Sequence, residues 1–136
     1  MTAIPAKNPC GSCPYRQDVP SGVWAKEEYD KLPAYDNDTG EQPFAAFYCH
    51  QQDGRLCAGW VGCHDMRNNL GLRMAASMGH LSIEEYDAAL SYKTDVPLWP
   101  SGAAAAAHGK AEIAHPSERA ERVIEKVSRK IARMNP

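Results

Sequence analysis

The chain has 136 residues, of which 24% are charged and 43% are hydrophobic, and its formal net charge is −2. This size and composition are typical of one small globular domain. The small net charge argues against a protein that binds nucleic acid mainly through electrostatics. We therefore expect a single domain over residues 1–136, with a cysteine-rich metal-binding half (1–64) and a helical half (65–136) that ends in a basic helix.

The N-terminal residues have neither the charged segment nor the apolar run of a secretory signal peptide. No apolar run approaches the length that spans a bilayer. We therefore expect a cytoplasmic protein without contact to a membrane, in which cysteine thiols stay reduced.

The first half of the chain is expected to be largely irregular. Residues 1–20 contain four prolines, each of which lacks an amide donor and fixes φ. A short helix is predicted over residues 21–33, with Ser21 as its N-cap. Its expected buried side chains are Val23, Trp24 and Leu32.

The segment that follows is predicted to return the chain towards its N-terminal cysteines. Residues 34–43 are rich in Asp, Asn and Gly and predict a polar loop. Phe44–Tyr48 predicts a short strand or a buried turn that delivers Cys49. The dipeptide Asp53-Gly54 is typical of a tight turn, which would bring the next cysteine back towards Cys49.

The second half carries helical patterns. Apolar residues recur every fourth position, which predicts a helix that begins near Asp65 and ends at Gly79. They are Met66, Leu70, Met74 and Met78. Ser82 and Glu85 have the spacing of a capping box, which predicts a second helix immediately after the first.

Two further helices are predicted towards the C-terminus. The alanine run 103–107 favours a helix by intrinsic propensity, and Gly109 is expected near its end. Pro116 and Ser117 introduce the last helix, which has one apolar face formed by Val123, Ile124, Val127 and Ile131. The expected fold class is therefore mostly α, with an irregular, metal-pinned N-terminal half.

All five cysteines lie in the first half of the chain, at Cys10, Cys13, Cys49, Cys57 and Cys63. In a reduced compartment such a cluster indicates a metal site in preference to disulfides, and thiolates favour zinc or iron–sulfur clusters. Cys10-Gly-Ser-Cys13 gives two thiolates a spacing at which both can bind one site. Cys49 and Cys57 are predicted to complete the ligand set. The reserve ligands are Cys63, His50 and His64.

The residues leave two alternatives for the identity of the metal. An iron–sulfur cluster, 4Fe–4S or 2Fe–2S with 4Fe–4S preferred, needs four cysteines and no histidine, and nearby aromatic residues could shield it from water. These are Trp24, Phe47, Tyr48 and Trp60. A structural zinc ion accepts four cysteines, or three cysteines and one histidine from the Cys-His pairs. The spacing from Cys49 to Cys63 matches neither a regular zinc finger nor a bacterial ferredoxin.

A thiol oxidoreductase is a third reading of Cys10 and Cys13. Such enzymes place the first cysteine at a helix N-terminus after a strand, and the residues before Cys10 do not predict a strand. No motif in the chain nominates a nucleophile and base. The sequence therefore favours a redox-sensing, regulatory or protein-interaction module over an enzyme.

Charge is unevenly distributed along the chain. Residues 1–107 carry 8 basic and 13 acidic side chains, whereas residues 108–136 carry 7 and 4. The preferred explanation is an amphipathic helix packed on a core, and a protein is the preferred partner. Nucleic acid is the second choice of partner, and it would bind through Arg119, Arg122, Lys126, Arg129, Lys130 and Arg133.

Four segments carry a resemblance to known proteins: the residues 9–16 (PCGSCPYR), 18–24 (DVPSGVW), 47–50 (FYCH) and 57–60 (CAGW). Together they resemble a small uncharacterised family of actinobacteria and their bacteriophages. The Gly-Val-Trp element beside clustered cysteines is also similar to the WhiB-like iron–sulfur regulators. In this chain, however, that element precedes the second cysteine group instead of following it. The uncharacterised family implies no function, whereas the similarity to the WhiB-like regulators favours an iron–sulfur cluster and is compatible with a regulatory role.

Overall fold

The computed structural model describes residues 2–49, 51 and 54–134, the last of these for its backbone alone. Its six α-helices are α1 (Lys26–Asp30), α2 (Ala58–Cys63), α3 (Leu70–Ser77), α4 (Ile83–Ser91), α5 (Gly102–Lys110) and α6 (Glu118–Met134). Short 3-10 segments cover Pro33–Asp36, Thr39–Glu41 and Met66–Asn68. The mostly α fold class is confirmed. No helix in these described ranges is both long and apolar enough to cross a membrane.

The N-terminal half is irregular, as predicted, but its first helix is shorter than expected. Helix α1 begins after Ala25, so Ser21 is not its N-cap. The Ser21 hydroxyl instead donates to the carbonyl of Gly109 at 3.1 Å and accepts from the amide of Glu112 at 2.9 Å. Ser21 is therefore used to attach this segment to the end of α5, and a tertiary contact replaces the local cap.

No strand forms at Phe44–Tyr48 in the described part of the chain. Tyr48 makes one isolated antiparallel bridge with Leu56, and a second such bridge pairs Arg16 with Leu98. Phe47 is buried, whereas Phe44 is exposed. The segment is therefore a short irregular connection, which the hydroxyl of Tyr35 also holds by donating to the carbonyl of Ala45 at 2.8 Å.

The predicted helix from Asp65 to Gly79 is interrupted. Asp65 caps a 3-10 turn by accepting from the amide of Arg67, and α3 begins anew with Asn69 as its N-cap. Because of this offset, α3 buries Gly71, Leu72 and Ala75, whereas Met78 is 62% exposed. Gly79 follows the helix with φ 78°, a backbone conformation that glycine adopts without strain.

The remaining helical predictions are confirmed. Ser82 and Glu85 form a reciprocal capping box at the start of α4. Helix α5 extends the alanine run, and α6 follows Ser117. The principal core combines residues of α2, α3 and α5 with Tyr15, Tyr29 and Leu32. Helix α6 packs separately, placing Ala120 against Val19 and Val23.

Candidate metal centre

Cys10 and Cys13 lie at the two ends of a tight turn. The amide of Cys13 donates to the carbonyl of Cys10 at 3.0 Å, which closes the turn. The indole of Trp24 donates to the carbonyl of Ser12 at 2.7 Å, and the guanidinium of Arg16 donates to that of Pro9 at 2.8 Å. These hydrogen bonds stabilise the backbone of the turn, which fixes the positions of the Cα atoms of Cys10 and Cys13.

Cys49 and Cys57 are brought together by the bridge between Tyr48 and Leu56. The amide of Cys49 donates to the carbonyl of Arg55 at 2.8 Å, and the amide of Cys57 donates to that of Phe47 at 2.9 Å. Gly54, in the connection between the two sides, has φ 81°. Asp53, the other residue of the predicted turn, lies outside the described residues.

The four cysteines predicted as ligands form one chain of thiol contacts. The Sγ atoms of Cys13 and Cys57 are 3.8 Å apart. Cys10 makes side-chain contacts with both Cys13 and Cys49. All five cysteines are free thiols. The thiols are therefore connected in the order Cys49, Cys10, Cys13, Cys57.

Glycine at position 59 permits this contact. Cys57 is the N-cap of α2, so Gly59 lies in the first turn of that helix. A Cβ atom at Gly59 would overlap the Sγ of Cys13 and would lie 2.8 Å from the Cβ of Tyr15. Only a residue without a side chain lets α2 approach the turn of Cys10 and Cys13 so closely.

Crowding and burial make these thiols hard to ionise on their own. The contact with Cys13 raises the pKa of Cys10, and the contact with Cys49 opposes this. The pKa of Cys13 is raised well above its ordinary value: the contact with Cys10 lowers it, but the contact with Cys57 and burial outweigh that. A bound cation would remove this penalty because metal ligation stabilises thiolates.

The donor set is connected pair by pair. Among the described residues, no group of three or more His, Cys, Asp or Glu side chains already has the arrangement of a metal site. A tetrahedral centre with metal–sulfur bonds of about 2.3 Å places its sulfur atoms about 3.8 Å apart. The separation between Cys13 and Cys57 equals this edge. These two thiols therefore fit shared ligation of one metal atom.

Cys63 lies at the opposite end of α2 from Cys57. It is the last residue of α2, so about 9 Å of helix axis separates it from the position of Cys57. Cys63 ends a helix and does not lie at the start of one, so no helix N-terminus favours its thiolate. Burial, and then the charge of Asp36, raise its pKa to about 12. Cys63 is thus a neutral, half-buried thiol beside His64, and His50 lies outside the described residues.

A polar connection joins this second region to the centre, and it was missed in the sequence. The hydroxyl of the fully buried Tyr15 lies 3.1 Å from Nε2 of His64. Nδ1 of His64 lies 3.7 Å from a carboxylate oxygen of Asp36. The three residues are distant in sequence, and no local pattern predicts their meeting.

The expected aromatic shield is incomplete. Phe47 and Trp60 are buried and Trp24 is half-buried, whereas Tyr48 is 39% exposed. Tyr15, which was not predicted, takes a place beside Cys13 and packs edge-to-face on Phe47 with ring centroids 6.3 Å apart. The buried side of the centre is thus apolar, and its Cys10 side is partly open.

The basic helix α6 runs beside the turn of Cys10 and Cys13. Lys126 and Lys130 line a cavity of about 280 Å³ together with Gly11 and Ser12. Of the six basic residues proposed for nucleic acid, Arg119 is bonded to the carbonyl of Asp18, and Arg129 lies 3.6 Å from Glu125. The basic face of α6 is therefore partly used within the fold.

The comparisons with known proteins give a family and no activity. No curated protein and no solved structure matches the chain. The model of a family of unknown function, DUF6283, matches residues 5–132, which include all five cysteines and nearly all of α6. The chain therefore belongs to the family of unknown function DUF6283.

Proposed function

We propose that this chain is an iron–sulfur protein in which Cys10, Cys13, Cys49 and Cys57 hold the cluster. The observation that carries the proposal is the continuous chain of contacts among these four thiols. Two loops that are far apart in sequence converge there, and Gly59 leaves the space that the convergence requires. Single neutral thiols are readily buried as small apolar groups, so the support for a metal is the convergence of four thiols, which are soft ligands, at one place.

The geometry favours the two-iron cluster over the four-iron form that the sequence favoured. In a 2Fe–2S cluster each iron binds two cysteines, whereas in a 4Fe–4S cluster each iron binds one. Cys13 and Cys57 have the spacing of two thiolates on one metal atom. Cys10 contacts both Cys13 and Cys49, so a second iron would bind Cys10 and Cys49 while the first binds Cys13 and Cys57.

Structural zinc is the second candidate, and the same 3.8 Å separation favours it. One zinc ion would require all four sulfur atoms on a single tetrahedron. The thiols are connected in the order Cys49, Cys10, Cys13, Cys57, and this extended order favours two irons over one ion. Both candidates use the same four ligands, so the ligand set and the metal are separate questions.

The proposed role is redox sensing or regulation through a protein partner. Four cysteine ligands leave no open coordination position for a substrate. Cys10 and Cys49 are only half-buried, so oxidants can reach the cluster from that side. The expected occurrence in actinobacteria and their bacteriophages, and the similarity to WhiB-like regulators, belong to this proposal and favour the same role.

Anaerobic purification followed by analysis of iron, acid-labile sulfide and zinc tests the proposal. A coloured sample with two irons and two sulfides per chain is expected. A colourless sample with one zinc supports the second candidate. A fully folded chain that contains neither metal contradicts both.

A further inference from the structure

A groove of about 280 Å³ lies between helix α6 and the turn of Cys10 and Cys13. Gly11, Ser12 and Gln51 form one wall, and the second half of α6 forms the other. Its volume is just below the range of about 300–1,000 Å³ that holds whole small molecules, so it suits one or two side chains of a partner. We refer to it as the Lys126 groove, after one of the residues on its α6 wall.

The wall on the side of the cysteine turn is held by hydrogen bonds and has one open point. Ser12 is fully buried: its carbonyl accepts from the indole of Trp24, and its hydroxyl accepts from the side-chain amide of Gln51. Gly11 is the open point, because a Cβ atom there would meet nothing within 4 Å. This wall therefore has a fixed shape and leaves space beside Gly11 for an incoming side chain.

The α6 wall carries a row of apolar side chains beside a row of cations. Val123 and Val127 are one helical turn apart, and so are Lys126 and Lys130. Residues at this spacing lie on the same face of a helix, about 6 Å apart. Val127 is buried and Val123 is half-buried, whereas both lysines are exposed. The groove therefore has an apolar floor and a cationic rim.

The cations of the rim have no counter-charge in the described part of the chain. No described carboxylate pairs with Lys126 or Lys130, whereas Arg129, which does not line the groove, lies 3.6 Å from Glu125. Residues 126–136 contain no Asp or Glu, and the glutamates of α6 all lie in its first half. The rim therefore favours an anionic ligand beside the second half of the helix.

We propose that the Lys126 groove binds an acidic segment of a partner protein, in which carboxylates alternate with apolar side chains. In an extended segment every second side chain points the same way, about 6.6 Å from the last, which matches the spacing of Lys126 and Lys130. The carboxylates would pair with these lysines, and the apolar side chains would contact Val123 and Val127 and fill the space beside Gly11. This inference rests on the proposed function, because it names the partner surface of the same cysteine centre.

A nucleic acid fits this surface less well than an acidic protein segment does. A nucleic-acid backbone is a continuous row of phosphates and needs an equally continuous row of cations. Along α6 that row is broken, because Glu118, Glu121 and Glu125 alternate with the cations of the first half. A phosphate backbone would also leave the apolar floor of Val123 and Val127 unused. Charge and apolar contacts together therefore favour a protein.

Fluorescence anisotropy on the intact, anaerobically purified chain tests this, with a labelled, end-blocked peptide Glu-Leu-Glu-Leu-Glu as the probe. The matched probes are Gln-Leu-Gln-Leu-Gln, which lacks the charge, Glu-Ser-Glu-Ser-Glu, which lacks the apolar side chains, and a single-stranded oligonucleotide of five phosphates. The first peptide is expected to bind saturably, and each matched probe at least about threefold more weakly, because each loses one of the two kinds of contact. Tighter binding of the oligonucleotide would overturn the proposal and favour a nucleic acid.

Variants of the rim complete the test. Lys126→Gln and Lys130→Gln change exposed side chains and should each weaken binding of the Glu-Leu peptide about threefold while the chain stays folded. Lys93→Gln, at an exposed position outside the groove, is the control for net charge and should bind as the parent does. Absence of a saturable signal, equal binding of the three peptides, or equal binding by all three variants would each overturn the proposal.

Metal analysis of the same samples keeps this proposal separate from that of the cluster. A chain that holds metal on its thiols but does not bind the peptide would overturn the partner surface alone. A folded chain that binds the peptide but holds no metal would support the groove and overturn the cluster.

Discussion

Gly59 lies against the sulfur of Cys13, so closely that a methyl group at position 59 would occupy the same space. This contact connects helix α2 to the turn of Cys10 and Cys13. The first helical turn after Cys57 and the first cysteine pair are therefore positioned by one another.

Gly59→Ala should destabilise the fold by about 1–3 kcal/mol, as overpacking does in well-packed cores. It should also lower the metal content, because Cys13 must move away from Cys57. Gly40→Ala is the matched control, since a Cβ there meets nothing within 4 Å. Chemical denaturation and metal analysis of both variants check this. Equal stability and metal content in both would show that the contact is not required.

Cys57→Ser and Cys63→Ser should behave differently. Cys57 contacts Cys13, so its replacement should remove the metal and loosen the N-terminal half. Cys63 ends α2 beside Asp36, and its replacement should keep the metal stoichiometry of the parent. Metal analysis and circular dichroism of both variants provide the measurement. Metal lost only in Cys63→Ser would mean that the fourth ligand is Cys63.

The sequence predicts features that depend on neighbours along the chain. The capping box of Ser82 and Glu85, the end of α3 at Gly79 and the helix in the alanine run are all local, and all are found. The helix α2 was missed because Gly59 and Gly62 have low helix propensity. Both glycines allow close packing. Cys13 lies against Gly59, and Leu98 and Tyr92 lie against Gly62.

The errors arise where tertiary contacts replace local preference. Ser21 has the chemistry of an N-cap, but it bonds to the end of α5 instead. The methionine periodicity ran through a 3-10 turn that shifts the buried face of α3 to Leu72 and Ala75. The four cysteines could be nominated by chemistry and spacing. Tyr15 and His64 could not, because they meet only in the folded chain.

His64 should make stability depend on pH. Burial lowers its pKa in the folded chain, with Asp36 opposing, so protons bind the unfolded chain more readily. The contribution of neutral His64 to the free energy of unfolding is complete above the unfolded pKa of about 6.5. This contribution is lost as the pH falls below that value. The groups facing its ring are Tyr15, Tyr35 and Asp36, with Cys63 next to it in the chain.

His64→Gln should therefore lose less thermal stability than the parent between about pH 7.5 and about pH 5.5. Glutamine keeps a polar partner for Tyr15 but does not titrate. Thermal unfolding of both proteins across this range, at one ionic strength, gives the comparison. His115→Gln, at an exposed position, is the control and should follow the parent. Parallel curves for the parent and His64→Gln would show that His64 does not contribute.

X-ray absorption of the anaerobically purified chain tests the four-thiolate centre most directly. Four sulfur neighbours per metal atom at about 2.3 Å are expected, with an additional iron–iron shell from a two-iron cluster. In the Cys57→Ser variant the amount of bound metal should fall. A first shell made of nitrogen and oxygen, or a metal signal that is unchanged when Cys57 is replaced, would contradict the assignment of Cys10, Cys13, Cys49 and Cys57.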